Sequence, residues 1–333
     1  IKMKIIMQPS VSIIVPCFLR VTQTLKTLRL LLASEGMNSL FRAEVIVADA
    51  SPDASLKRAI QKNFGEKVRY TRPKRRGIAT NKNQGARVAR HSILIFCDSD
   101  MEVEPKTILR TIESLKEHPR AAALMGYVYW RTGPNHGTLD RPRKEDQRWV
   151  YRKTIFVEAI YSRYMATYKK VFWSVGGYDE NIFNMRGEGS DLSTRYWRAG
   201  YPLAFDASIV VHHVHDAPNS MALRVAHPEW GIARDLMFLA YKYDMVGDQW
   251  KNFSRIMHEN FKTYGYSGLL NGLVQNYDLL VLAKPWLDRF RRSTKPRYNF
   301  KFQEIFSQSS LLRKCVNASG KRMDSVYRTV FEA

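Results

Sequence analysis

The regular alternation of apolar runs and amphipathic segments over residues 10–105 constrains the fold of this 333-residue chain more than any other feature. Short runs rich in β-branched residues, such as SVSIIVPCF, are typical of buried strands, and the segments between them carry apolar residues at helical spacing. The predicted strands are residues 10–18, 43–51, 67–73 and 93–100, and the predicted helices are residues 21–34, 55–64 and 77–92. This order predicts an α/β fold, with a mostly parallel sheet flanked by helices and ligands bound beyond the carboxyl ends of the strands.

The regular alternation is lost after residue 105. The predicted elements there are a helix at 106–119, a strand at 121–130, a mobile polar loop at 131–148, a helix at 191–200 and a strand at 207–215. Residues 230–333 are predicted to form a mostly helical and basic C-terminal extension. Within it, residues 269–290 are apolar at helical spacing, which indicates a core or an interface between subunits of a homo-oligomer.

The net charge of +22 favours an anionic partner: nucleic acid, an acidic membrane surface or a phosphorylated substrate; the alternative is a solvated basic surface. No zinc finger, basic zipper or RNA-binding strand signature occurs, so nucleic acid is not expected. No apolar run reaches about 18 residues, and the first ten residues do not resemble a signal peptide. The cysteines Cys17, Cys97 and Cys315 are scattered, so we expect a reducing compartment with neither a disulfide framework nor a zinc cluster.

Asp98 and Asp100 stand one residue apart, directly after an apolar run. Two neighbouring carboxylates resist joint ionisation, and a divalent cation removes that penalty. Oxygen ligands of this kind suit Mg²⁺ or Mn²⁺, which in turn bind phosphate oxygens. The pattern therefore predicts a metal that bridges to a diphosphate; the alternative is a solvated turn, because Asp is common after strands.

Three histidines near residue 213 could complete such a metal site. In the stretch VVHHVHD, strand periodicity places His213 and His215 on one face and His212 on the other. Neutral imidazole is a common metal ligand, while a structural or surface role is the usual alternative for a single histidine.

Glu188 and Asp191 lie three residues apart at the start of a predicted helix. A carboxylate at this place could act as a general base. Spacing alone favours a different role, a helix cap made by Ser190 or Asp191.

Six ordered motifs between residues 10 and 216 together resemble the inverting family 2 glycosyltransferases, which have a GT-A fold. The motifs are VSIIVPCFLR, EVIVADASPDAS, RRGIATNKNQGARVARHSILIFCDSD, FWSVGGYDENIF, GEGSDLSTRYWRAGY and VVHHVH. The resemblance implies a GT-A domain at 1–229, composed of a nucleotide-binding half at 10–100 and an acceptor half at 101–229.

The resemblance also implies where a nucleotide sugar and its metal would bind. Asp49 would contact uracil, and Asp98 and Asp100, a DxD motif, would bind Mn²⁺ or Mg²⁺ together with His213, with His215 as a further candidate ligand. The other residues that it implies for the donor site are Pro16, Phe18, Arg20, Gly77, Lys82, Asn83 and Ser99.

The chain departs from the family pattern at two positions. Leu19 stands where the family usually has Asn, and Gly189 stands where it usually has the catalytic Asp. The candidate base is therefore Glu188, with Asp191 in second place; a base from elsewhere in the chain is the alternative. A retaining mechanism, which needs no base on the acceptor, stays open.

The sequence thus predicts a metal-dependent glycosyltransferase of the hexosyl or N-acetylhexosaminyl type that uses a nucleotide-diphosphate sugar, with UDP-sugar as the expected donor. The acceptor would be a hydroxyl of a glycan, a lipid-linked sugar or another molecule, in glycan or polysaccharide synthesis, with inversion expected. We expect a cytoplasmic location with peripheral contact at the inner face of an anionic membrane. The alternatives are a non-catalytic nucleotide-sugar-binding protein and a sugar-phosphate nucleotidyltransferase, although PCFLRVTQT lacks the glycine- and lysine-rich phosphate loop of the latter.

Overall fold

The computed structural model describes residues 8–118, 121–132, 137, 139–140, 147–151, 154–157, 159–181, 187–214 and 242. The chain divides into two compact units, Ile1–Ser220 and Met221–Ala333, and every described residue except Lys242 belongs to the first. The predicted helical extension at 230–333 therefore lies outside the described residues, apart from Lys242.

The first unit begins with four parallel strands and three helices in the predicted order. The elements are β1 (Ser10–Cys17), α1 (Val21–Leu32), β2 (Arg42–Asp49), α2 (Ser55–Phe64), β3 (Val68–Thr71), α3 (Ile78–Val88) and β4 (Ile93–Cys97). The strands lie side by side in the order β3-β2-β1-β4, with every pair parallel. All four carboxyl ends consequently lie at one edge of the sheet.

The second part of the unit extends the same sheet with strands of both directions. The elements are β5 (Met101–Val103), α4 (Thr107–Glu117), β6 (Ala123–Trp130), β7 (Leu139–Asp140), β8 (Gln147–Tyr151), β9 (Thr154–Val157), β10 (Tyr164–Tyr168), α5 (Lys169–Ser174), α6 (Glu188–Arg198) and β11 (Leu203–His213). The strand order continues from β4 as β10-β6-β11-β9-β8, with β10 antiparallel to both β4 and β6. The α/β fold predicted from the sequence is confirmed. The loop predicted at 131–148 is wrong in part, because it contains β7 and the start of β8; the remainder lies largely outside the described residues.

Helices cover both faces of the sheet. Strands such as β1, β2 and β4 are therefore buried on both sides, which explains their continuous apolar sequences. Helices α1, α2 and α4 pack on one face, where Ile13 belongs to the buried cluster, and α3, α5 and α6 pack on the other, where Ile14 does. Successive side chains of β1 therefore serve opposite cores.

Helix α3 lies unusually close to β1 because Gly85 has no side chain. A Cβ atom at this position would overlap Cγ2 of Ile14. At the other end of the helix, Gly77 precedes the first turn with a φ of 146°, a conformation that favours glycine. The first turn of α3 is thereby held against the carboxyl edge of the sheet.

The chain leaves the main sheet after β4 and pairs again at β5. Strand β5 is antiparallel to β11, with Met101 opposite His213, and the Val214 N–H donates to the Asp100 carbonyl over 2.9 Å. This pairing brings Asp100 and His213 together although they are far apart in the sequence.

The two described cysteines, Cys17 and Cys97, are free and buried. None of the helices in the described part of the chain is both long and apolar enough to span a bilayer.

Candidate active site

The acidic residues and one histidine predicted for the site lie at or just beyond the carboxyl ends of the strands. Asp49 ends β2, Asp98 and Asp100 lie in the turn between β4 and β5, and His213 ends β11. Glu188 begins α6 and reaches the same region through Lys82.

Asp100 is held by two side chains from distant parts of the sequence. Its Oδ2 atom forms an ion pair with Arg20 and lies 3.3 Å from Nε2 of His213. Burial alone would raise the pKa of Asp100, but the hydrogen bond from His213 and the Arg20 guanidinium outweigh it and lower that pKa to about 2. The carboxylate is therefore ionised and anchored from two directions.

Asp98 has a different environment, although it is only two residues away. Its backbone N–H donates to the Arg163 carbonyl over 2.8 Å, and its Oδ1 atom lies 3.3 Å from Nζ of Lys82. Oδ1 is buried and accepts no hydrogen bond of good geometry among the described residues. Burial raises the pKa of Asp98, assisted by the nearby Asp100 and Glu188 carboxylates and opposed by Lys82. The two neighbouring carboxylates thus differ in pKa, which relieves their repulsion.

Asp98, Asp100 and His213 fit a divalent cation by their chemistry, since carboxylate oxygen and imidazole nitrogen are ligands of Mn²⁺. Two adjacent ligands of an octahedral ion with bonds of about 2.1 Å lie about 3 Å apart, and the Asp100–His213 distance of 3.3 Å is close to that value. Within the described ranges no three acidic, histidine or cysteine side chains already converge on one point. Asp98 would have to turn from Lys82 to join the other two.

The other two histidines do not lie with this set. His212 projects to the opposite face of β11, where its Nε2 atom lies 3.3 Å from Oε1 of Glu104. His215 lies outside the described residues.

Lys82 is fully buried and connects the turn at Asp98 with α6. Its Nζ atom donates to the Ser162 carbonyl over 2.8 Å and to the Ser162 hydroxyl over 3.1 Å. It also lies 3.3 Å from Oε1 of Glu188, which accepts a 2.6 Å hydrogen bond from the Ser162 hydroxyl. Burial alone would raise the pKa of Glu188, but the Lys82 ammonium and the Ser162 hydroxyl outweigh it and lower that pKa. Glu188 is therefore an anion at neutral pH.

Asp191 forms an ion pair with Arg195 within α6. It is fully buried, and its Oδ2 atom accepts hydrogen bonds from Arg195 Nε over 3.0 Å and from Arg195 Nη2 over 2.6 Å. The cap predicted for Ser190 or Asp191 is wrong, because α6 begins after Gly187 and has no side-chain cap. Gly187 has a φ of 77°, so the chain enters the helix by the left-handed conformation rather than by a capping side chain.

The segment 160–162 occupies the space beside Gly189. A Cβ atom at this position would lie 3.1 Å from the Ile160 carbonyl and 3.2 Å from Cβ of Ser162. An aspartate side chain, the family's usual group here, would therefore displace Ser162. Ser162 itself was not predicted from the sequence, since a lone serine in a connecting segment carries no signal.

Asp49 is held in place by hydrogen bonds from Ser51 and Tyr70. It is fully buried, and its carboxylate accepts hydrogen bonds from the Ser51 N–H over 2.9 Å, the Ser51 hydroxyl over 2.5 Å and the Tyr70 hydroxyl over 3.0 Å. Burial and the neighbouring Asp49 raise the pKa of Tyr70 to about 12. Asp49 therefore orients Ser51 and Tyr70 at the end of β2.

The other residues predicted for the donor site are spread around the same edge. Phe18 follows β1 and carries the Arg76 guanidinium 4.3 Å above its ring. Pro16 is buried within β1, and the Ser99 carbonyl accepts a 2.9 Å hydrogen bond from Thr27. Asn83 is bonded to the segment that follows α5: its amide donates to the Tyr178 carbonyl over 2.8 Å and accepts from the Tyr178 N–H over 2.9 Å.

An aromatic neighbour of His213 was also not predicted from the sequence. The Trp130 ring lies 4.2 Å from that of His213, and the Arg163 guanidinium lies 5.0 Å from the Trp130 ring. The contact follows from the parallel register of β6 and β11, which single-sequence patterns do not reveal.

Comparison with known proteins places this arrangement in context. Residues 12–174 match the model of the family described as glycosyl transferase family 2. Polypeptide N-acetylgalactosaminyltransferase 6 of Mus musculus is 25% identical over 208 residues, which cover 53% of this chain and 32% of that protein. N-acetylgalactosaminyltransferase 6 of Drosophila melanogaster is 23% identical over 279 residues, covering 78% of this chain and 40% of that protein. The chain thus spans well under half the length of these curated relatives.

Two solved structures share the fold. The mannosyltransferase PcManGT of Pyrobaculum calidifontis, in complex with GDP-Man and Mn²⁺, superposes with a TM-score of 0.56 at 15% identity, over 96% of this chain and 88% of that chain. GalNAc-T7 with UDP, GalNAc and Mn²⁺ superposes with a TM-score of 0.53 at 15% identity, over 75% of this chain and 55% of that chain. The predicted GT-A fold is confirmed by these likenesses.

Proposed function

Because residues 12–174 of the chain match the model of glycosyl transferase family 2, we propose that it is a metal-dependent glycosyltransferase that moves a sugar from a nucleotide-diphosphate donor to an acceptor hydroxyl. The expected donor is a UDP-sugar, of the hexose or N-acetylhexosamine type. The observation that carries this proposal is the 3.3 Å approach of His213 to Asp100, two residues after Asp98, at the carboxyl edge of the sheet.

The metal site is proposed on those three side chains, with His215 as a further candidate. Mn²⁺ or Mg²⁺ bound there would neutralise the charge that develops on the leaving diphosphate. The support from this chain is the ionised, doubly anchored Asp100 and its 3.3 Å spacing from His213. The support from known proteins is the Mn²⁺ present with both structural neighbours.

The donor would lie across the ends of β2, β1 and β4. Its base end is proposed near Asp49 and Phe18, and its diphosphate end near Arg20 and the metal site. The remaining donor-site residues proposed from the sequence are Pro16, Gly77, Lys82, Asn83 and Ser99. Of these, Lys82 and Asn83 would act by holding neighbouring groups in place, because both are buried and already hydrogen bonded.

Glu188 is the proposed general base for the acceptor hydroxyl, and the expected outcome is inversion at the anomeric carbon. Its carboxylate is anionic, so it can accept a proton. It lies near Asp98, because the Lys82 ammonium is 3.3 Å from both carboxylates. Asp191 is the weaker candidate, because its side chain has no exposed surface and is bonded to Arg195. The anomeric configuration of the product, read by NMR, tests this assignment: a retained configuration would contradict a base on the acceptor.

The proposed partners are a glycan, lipid-linked or other hydroxyl acceptor and an anionic membrane surface contacted peripherally, within glycan or polysaccharide synthesis. The high positive charge of the chain supports the membrane contact. Flotation with anionic vesicles tests it, and a protein that stays at the bottom of the gradient would contradict it.

A thermal-shift panel tests the donor and the metal together. UDP and GDP, each with and without Mn²⁺, are added to the wild-type chain, since a ligand that binds the folded state raises its melting temperature. We expect UDP to raise it only when Mn²⁺ is present. The Asp100→Ala variant should lose this metal-dependent shift, whereas Glu117→Ala, which removes an exposed carboxylate at the end of α4, should keep it.

Turnover is then read from hydrolysis of the UDP-sugar. A Mn²⁺-dependent shift without any donor hydrolysis or transfer would favour the non-catalytic binding protein. An Asp100→Ala variant with the full metal-dependent shift and turnover would contradict the metal assignment.

A further inference from the structure

Asn81, in the first turn of α3, carries a buried amide oxygen that accepts no hydrogen bond within the described part of the chain. The residue is 3% exposed, and its Nδ2 atom donates to the Cys17 carbonyl over 2.9 Å. Buried polar atoms nearly always have a partner, and one without a partner destabilises the folded protein. An acceptor of this kind is explained if a bound molecule supplies the donor.

The orientation of the Asn81 amide is fixed by its other contact. The Cys17 carbonyl can only accept a hydrogen bond, so the NH₂ group must face it. Exchanging the two ends of the amide would place two acceptors together. The atom without a partner among the described residues is therefore the oxygen, and a donor on a bound molecule would pair it.

The strand order tells which part of a nucleotide would lie near Asn81. Across the carboxyl edge, β2 ends at Asp49, β1 ends at Cys17 and β4 ends just before Asp98, in that spatial order. Neighbouring strands are about 4.8 Å apart, so β2 and β4 are separated by about 10 Å. A nucleoside diphosphate with its base at β2 and its diphosphate at the metal site would place its ribose over the end of β1.

We propose that Asn81 Oδ1 accepts a hydrogen bond from a ribose hydroxyl of the donor nucleotide, so that the chain distinguishes ribonucleoside from deoxyribonucleoside diphosphates. This inference rests on the proposed function, because it requires a nucleotide across the strand ends. A ribose hydroxyl is a donor and suits this atom. A phosphate oxygen is only an acceptor and does not.

The test measures the affinity of the 333-residue chain for UDP, 2′-deoxy-UDP and 3′-deoxy-UDP by calorimetry in the presence of Mn²⁺. The wild-type protein should bind one deoxy analogue about fivefold more weakly than UDP, the factor expected for one neutral hydrogen bond. Asn81→Ala should bind UDP about fivefold more weakly and that deoxy analogue with unchanged affinity. The matched control is Gln84→Ala, on the same helix, whose amide donates to the Thr71 hydroxyl over 2.8 Å; it should keep the wild-type ratio.

Each outcome decides the proposal. A wild-type protein that binds UDP and both analogues equally would overturn it without any variant, which keeps it testable even if Asn81→Ala does not fold. Equal weakening of all three ligands by Asn81→Ala would also overturn it and make Asn81 a purely structural residue. A wild-type protein that binds none of the three nucleotides would contradict the UDP donor as well, and so is distinct from the failure of the ribose contact alone.

Discussion

Replacing Lys82 by methionine should destabilise the folded chain strongly, because it removes a buried cation placed between two acidic side chains of low exposure. Asp98 and Glu188 each lie 3.3 Å from the Lys82 ammonium, and their side chains are 22% and 12% exposed. The variant also loses both hydrogen bonds to Ser162. Breaking a buried ion pair on one side costs about 3–5 kcal/mol, since the remaining charge is left without a partner. Methionine has a similar volume, so little of the loss would come from a cavity.

Urea denaturation of the wild type, Lys82→Met, Glu188→Gln and the double variant measures this effect. The double variant should be more stable than the sum of the single losses by about 1–3 kcal/mol, because neutralising Glu188 removes one of the uncompensated charges. Lys169→Met is the matched control: this lysine donates to the Ala89 carbonyl over 2.6 Å, and the loss of that bond should cost about 1 kcal/mol. A Lys82→Met loss no larger than that of the control, or simple additivity in the double variant, would refute the reasoning.

Two further predictions concern the stability of the sheet. Burial alone would raise the pKa of Glu44, but its bonds to the Ser12 hydroxyl and Arg69 outweigh that effect and lower the pKa. Glu44 therefore stabilises the folded state above its unfolded pKa, and this stabilisation is lost as the pH falls through its folded pKa. Glu44→Gln should therefore cost about 1 kcal/mol at pH 7 and progressively less below about pH 4, as followed by melting temperature; a difference that stays constant with pH would contradict this. Gly85→Ala should lower stability by about 1–3 kcal/mol although alanine favours helices, because its methyl group overlaps Ile14; a melting temperature equal to or above that of the wild type would contradict the close approach.

The nucleotide-binding half could be predicted from the sequence because its signals are local. β-Branched runs bounded by Pro or Asp specify β1 and β2, and the segment 55–64 coincides with α2 to the residue. Strands of this kind bury both faces, and so their order along the chain predicts a sheet covered by helices. The positions of Asp49 and Asp98 at strand ends followed from the same local reasoning.

The partners of the candidate site residues could not be predicted, because they depend on contacts between distant segments. Lys82 belongs to a helix expected near the donor, yet its ammonium faces Glu188, more than a hundred positions later in the sequence. Spacing suggested a cap for Asp191, but Arg195 on the following turn binds it instead. The insertion of β10 between β4 and β6 is likewise a property of tertiary packing, which no periodicity encodes.

Because β5 pairs with β11, the candidate metal centre depends on two segments that are far apart in the sequence. Asp100 is synthesised with the first half of the domain, whereas His213 arrives with the last described strand, and only their antiparallel pairing brings the two side chains to 3.3 Å. Closing so long a loop has an entropic cost that the strand pairing must offset. A nascent chain could therefore complete its first four strands and still lack the imidazole. Ion affinity would then report, in a refolding experiment, the docking of β11 rather than the formation of the sheet as a whole.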